Sequence, residues 1–149
     1  SRFLRERLFF QGGEFSMKCA IVAVGTELLF GHTVNTDAVY LSQQLNLMGI
    51  DVLYHYTVGD NPKRLADILK MAMKDCDLVI CLSHLGYEDE DFTDCELVPQ
   101  VRNVDIIVGG HSHTHLKDKT VLKDLDGEDV VVITDWKFGR EIGNLKIDF

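Results

Sequence analysis

The sequence predicts an α/β fold: a three-layer sandwich with a mainly parallel sheet of strand order 2-1-3-4, extended by C-terminal antiparallel strands. Three observations carry this expectation. Short apolar, β-branched runs recur at 18–24, 51–58, 77–84 and 104–108. The first three are separated by segments with apolar residues at helical spacing, which is the alternation of a parallel sheet with crossover helices. From residue 120 onward the helical spacing disappears and only strand-like runs remain.

Each element follows from local chemistry. Residues 18–24 (KCAIVAV) form an apolar strand closed by Gly25-Thr26-Glu27. Ala38, Leu41, Leu45 and Met48 share one helical face, with Asn35 or Thr36 as the cap and Gly49 as the stop. Residues 51–58 (DVLYHYTV) alternate and are rich in β-branched and aromatic side chains, so they read as a strand. Gly59-Asp60-Asn61-Pro62 is turn chemistry in which proline opens the next helix. That helix, 63–75, places Leu65, Ile68, Leu69 and Ala72 on one face. Residues 77–84 (DLVICLSH) read as a strand buried on both sides, and 90–102 as an acidic helix ended near Pro99. Residues 104–108 are a fourth buried strand, closed by Gly109-Gly110-His111-Ser112-His113. Residues 120–125, 130–134 and 144–149 complete the set as short strands, with Asp126-Gly127 as a hairpin turn.

Composition narrows the function classes. The chain of 149 residues carries a formal net charge of −9, which argues against nucleic acid or an anionic membrane surface as partner. No apolar run approaches the ~20 residues of a spanning helix, and no secretory leader is visible. Cys19, Cys76, Cys81 and Cys95 contain no C-x-x-C pair and read as free thiols of a reducing, cytoplasmic setting, at least where the chain is expressed. Residues 1–16 read as a tag or linker remnant and 17–149 as one α/β domain. Self-association is the partner this reading leaves open.

In an open parallel sheet, ligands bind outside the carboxyl ends of the strands. Thr26, Glu27, Asp60, His84 and the 109–113 loop are all expected on that edge. Thr26, Glu27 and Asn35 offer hydrogen-bonding groups for a small ligand, although, taken singly, Asn35 is better explained as a helix cap and Gly25 as a turn.

Two resemblances add to this. Gly25-Thr26-Glu27-Leu28-Leu29-Phe30-Gly31, Asn35-Thr36-Asp37, Val58-Gly59-Asp60-Asn61 and Asp77-Leu78-Val79-Ile80 resemble the molybdopterin-binding fold. Across 17–80 the likeness is to the N-terminal domain of competence/damage-inducible proteins, which implies a pterin- or nucleotide-binding module. Leu82-Ser83-His84-Leu85-Gly86 and Val108-Gly109-Gly110-His111-Ser112-His113 resemble calcineurin-like metallophosphoesterases of the 5′-nucleotidase group, across 79–149. That second likeness implies His84, His111 and His113 as ligands of one divalent transition metal (Zn, Mn, Fe or Ni), in an open site completed by Glu27, Asp60 or water.

The metallophosphoesterase's Asp-x-His, Gly-Asp-x-x-Asp and Gly-Asn-His-Glu motifs are absent, so no catalytic residue is assigned. Three functional readings follow, in order. The first is an engineered or recombined chimera of two half-domains, joined near 77–84 and without evolved activity. The second is residual metal binding or weak metal-dependent phosphoesterase activity through the three histidines. The third is a pterin- or nucleotide-binding module using Thr26, Glu27, Asn35 and Asp60.

Overall fold

The computed structural model describes residues 16–31, 34–88, 92–138, 140 and 142–147. The expected tag remnant, His32, the start of the acidic helix and the last two residues therefore lie largely outside the described residues. In chain order the elements are β1 (Met17–Val24), α1 (Thr26–Leu29), α2 (Thr36–Leu47), β2 (Ile50–Val58), α3 (Pro62–Ala72), β3 (Leu78–Ser83), α4 (Asp94–Leu97) with a 3-10 turn at Val98–Gln100, β4 (Ile106–Gly109), β5 (Thr120–Lys123) and β6 (Asp129–Thr134). The strands form one six-stranded sheet in the order β2-β1-β3-β4-β6-β5.

The predicted 2-1-3-4 core is present, and every pair within it is parallel. The C-terminal extension is more specific than the sequence indicated. β6 continues the parallel set beside β4, and β5 alone runs antiparallel, as the edge partner of β6. The expected strand at 144–149 is not seen among its described residues, 144–147. Residues 142–147 have no regular structure, and Leu145 and Ile147 pack instead on the sheet face beside Ile106 and Val108. The acidic helix shortens to α4 and its 3-10 turn, because Pro99 withholds the amide that a longer helix would need.

Side-chain alternation in the strands divides the core into two layers. Cys19, Ile21, Leu78, Ile80 and Ile106 face α2, which contributes Ala38 and Leu45. Ala20, Val22, Val79, Cys81 and Ile107 face the opposite side, where α3 contributes Leu65, Leu69 and Ala72, and the α4 region adds Leu97 and Val98. β1 and β3 are buried almost throughout, as their continuous apolar runs require. The helix starts follow local rules: the Asn35 side chain accepts the Ala38 amide (3.1 Å), and the Asn61 side chain accepts the Arg64 amide (3.0 Å) just before Pro62. Gly49 takes a left-handed backbone (φ 80°) that ends the α2 segment. All four cysteines are free, and burial pushes the thiols of Cys19 and Cys81 well above their usual range. No helix among the described residues is long and apolar enough to cross a membrane.

Candidate functional site

Strand order decides where a ligand can sit. β1 pairs with β2 on one side and β3 on the other, so successive crossovers leave it in opposite directions. Connections that diverge in this way open a crevice outside the carboxyl ends of the strands. A cleft of about 500 Å³ lies there, with Val24, Ser83 and Gly109 as its floor at the ends of β1, β3 and β4. Glu27, Asn35, Asp37, His84 and Gly110 supply its polar walls. A roomier hollow, about 600 Å³, lies at the opposite edge near Asp105 and Val104, beside the irregular Leu145–Ile147 segment. It borders the amino ends of β3 and β4, and we read it as a gap in the packing of that segment.

The predicted residues do not all converge. Thr26 and Asp60 satisfy each other: the Thr26 hydroxyl donates to Asp60 Oδ2 (2.8 Å) and accepts the Asp60 amide (3.2 Å), tying α1 to the end of β2. Neither lines the cleft. Asn35 lines it while spending its side-chain oxygen on the α2 cap. Glu27 faces the cleft, and its Oε1 lies 3.8 Å from His84 Nε2, with both side chains about half exposed (48% and 51%). A Cβ on Gly25 would stand 2.8 Å from that same Oε1, so glycine makes room for the carboxylate.

His84 extends β3 by donating its amide to the Val24 carbonyl (3.1 Å), which holds the imidazole at the rim. His111 Nδ1 lies 3.2 Å from His84 Nε2, with the rings edge to face and 4.8 Å apart. One nitrogen donates and the other accepts, so the pair shares a single bridging proton. His111 reaches this position through a left-handed backbone (φ 72°) after Gly110. His113 is the expectation that fails. Its ring lies beside Phe138 at 5.9 Å instead of joining the other two. Among the described residues, no group of three or more His, Cys, Asp or Glu is placed to hold a metal ion. The loop has left-handed backbone at both His111 (φ 72°) and His113 (φ 55°), and the two rings pack on different neighbours, His84 and Phe138.

The sequence reading missed a buried pair beneath the cleft. Asp94 is fully buried (0% exposed), and its Oδ1 accepts a 2.5 Å hydrogen bond from the hydroxyl of Ser83, a cleft residue. Its Oδ2 has no hydrogen-bond partner among the described residues and lies 2.7 Å from where a Cβ on Gly109 would stand. Burial pushes this carboxyl up to about 6, against the opposing pull of the Ser83 hydrogen bond. Nothing local marks it. Asp94 sits in the run EDEDFTDCE, which reads as a solvated acidic face, and only packing buries it.

Comparison with known proteins supplies the ancestry. Residues 20–103 match the family described as "Probable molybdopterin binding domain". The chain is 41% identical over 102 residues to a "CinA-like protein" of Dictyoglomus turgidum, covering 68% of this chain and 25% of that protein. It is 43% identical over 101 residues to a "Putative competence-damage inducible protein" of Acetivibrio thermocellus, covering 68% and 24%. The chain thus spans about a quarter of the length of these relatives. A solved structure, the protein CinA of unknown function from Thermoplasma acidophilum, is 30% identical with a TM-score of 0.45, covering 48% of this chain and 42% of that one.

These findings overturn the expectation of an engineered or recombined chimera. The family match runs without interruption through β3, where the join was expected, and the relatives are natural bacterial proteins. The sheet agrees. β3 pairs in unbroken register with both β1 and β4, and the register shift of the parallel core falls elsewhere, between Cys19 and Ala20 against β2. The metallophosphoesterase likeness is corrected with it. The histidines that suggested it are not assembled around one point, and residues 104–149 lie outside the family match.

Proposed function

Because this chain belongs to the family of probable molybdopterin binding domains, we propose that it binds a small nitrogen heterocycle of pterin or purine type in the cleft outside β1 and β3. The observation that carries this reading is the position of Glu27, Asp37 and Ser83 around a crevice at the point where the strand order diverges. Carboxylates accept hydrogen bonds only, so they select a ligand edge rich in N–H donors. The 2-amino-4-oxo ring edge of a pterin or a guanine presents adjacent N–H groups of that kind. Acidic walls also disfavour several phosphates in the cleft itself, so ring recognition is the main source of affinity there. His84, its Nε2 3.8 Å from Glu27 Oε1, closes one side of the rim.

Titration calorimetry with a 6-substituted pterin, guanosine and adenosine tests the proposal. Pterin and guanosine should bind and adenosine should bind more weakly. Glu27→Gln should weaken the first two about tenfold, the scale of one hydrogen bond to a charged group. Absence of heat with both rings, or affinities that ignore the Glu27 substitution, would refute the reading. Repeating the pterin titration with added Zn²⁺ or Mn²⁺ shows whether the His84–His111 pair recruits an ion; unchanged heats count against one.

A further inference from the structure

The loops that follow β4 and β6 carry an unusual concentration of aromatic and cationic side chains for a chain of net charge −9. Trp136, the sole tryptophan, stacks on His115 with centroids 5.0 Å apart and planes 19° from parallel. The Arg140 guanidinium carbon lies 5.1 Å from the Trp136 ring centre. Lys137 Nζ lies 5.8 Å from the same ring and 5.5 Å from that of Phe138. Phe138 is 78% exposed, and its ring has His113 as neighbour at 5.9 Å. Across 111–119 and 135–141, Lys117, Lys119, Lys137 and Arg140 stand against Asp118, Asp135 and Glu141.

The backbone holds this cluster in place at a conformational cost. His113 (φ 55°), Trp136 (φ 50°) and Phe138 (φ 61°) are all left-handed, a region that bulky side chains rarely adopt. Such strain persists only where neighbouring structure over-determines it, and it concentrates at ligand-binding segments. The ties are visible. The Thr134 hydroxyl donates to the Thr114 carbonyl (2.6 Å), His115 and Asp135 form a β-bridge, and the Gly143 amide donates to Asp135 Oδ2 (3.0 Å). That last bond engages the acid closest in sequence to Trp136.

We infer that Trp136, Lys137, Phe138 and Arg140 form a second binding site, which takes a nucleotide: phosphate on the two cations and base on the exposed Phe138 ring. The chemistry supports each half. A guanidinium resting against an indole face is pre-ordered, with its N–H fork available to a phosphate. An exposed aromatic ring beside a cation offers a base a stacking surface and brings its phosphate within reach of the charge. The site goes beyond the proposed cleft. It uses none of the cleft residues, and its preference for anions is opposite to that of the acidic walls around Glu27.

Trp136, being the single tryptophan, reports directly on occupancy. ADP should change its emission saturably, pyrophosphate should compete, and adenosine alone should bind much more weakly. Arg140→Ala should weaken ADP about tenfold, the scale of one charge-assisted hydrogen bond, with partial rescue by Arg140→Lys. Phe138→Ala should weaken ADP while leaving pyrophosphate unchanged. Both side chains are exposed, so the variants are expected to fold. His84→Ala, at the cleft, should leave the Trp136 signal intact and lower only the pterin affinity measured by calorimetry. No saturable response to ADP, equal ADP affinity in Arg140→Ala, or loss of the signal in His84→Ala would each overturn the inference. Failure of pterin to bind would overturn only the cleft reading.

Discussion

Asp94→Asn offers the sharpest test of the buried layer beneath the cleft. The carboxyl is fully buried, has an unpartnered oxygen, and is raised from an ordinary 3.8 to about 6. A raised acid is easier to protonate in the folded state than in the unfolded one. Its favourable contribution is therefore complete below pH 3.8, declines as pH rises, and is lost once pH passes about 6. A change of that size corresponds to about 3 kcal/mol, taking roughly 1.4 kcal/mol per pH unit. Asparagine retains an oxygen for the Ser83 hydroxyl and does not titrate. Its amide nitrogen replaces the unpartnered oxygen, however, and an unsatisfied donor costs about 1–3 kcal/mol at every pH. The absolute stability of the variant is thus a poor test, and the pH slope is a good one. Urea unfolding of both proteins from pH 4 to 7.5 should show the variant gaining about 2.4 kcal/mol relative to the parent across that window, most of the full effect. Parallel profiles would mean that Asp94 does not carry a buried, strained charge at neutral pH.

Two further outcomes follow from the packing. Leu65 and Leu69 are wholly buried where α3 meets the sheet, so Leu65→Ala should cost about 2–5 kcal/mol in urea unfolding. A smaller loss would show that α3 is only loosely seated. Asn35→Ala removes the side chain that accepts the Ala38 amide and should cost about 1 kcal/mol. An unchanged midpoint would mean that water replaces the cap at no cost.

Much of the architecture was legible because its causes are local. Residues 18–24 and 78–83 are apolar at nearly every position, and only a strand buried on both faces accommodates that. Asn35, Asn61-Pro62 and Gly49 mark helix ends through interactions spanning a few residues, so the pattern is complete within a short window. The errors came where a local likeness was extended to a global claim. Short motifs around His84 and His111 resembled a metal centre, yet convergence depends on backbone angles that motifs do not encode. The meeting of two family resemblances near β3 reads as a join, whereas β3 simply sits mid-sheet in a continuous family match.

Taken alone, the sequence determined the alternation of strands and helices, the 2-1-3-4 core, and the edge on which Thr26, Glu27 and His84 would lie. Those follow from periodicity, capping and the geometry of parallel crossovers. Only the tertiary structure decided which residues meet there. It turned Thr26 and Asp60 to each other, set His84 between Glu27 and His111, sent His113 toward Phe138, and buried Asp94 under Ser83. Each pair joins segments distant in the chain, and its formation depends on the register and twist of the whole sheet. Local preference carries no record of such contacts, because the energy that selects them is shared across the core.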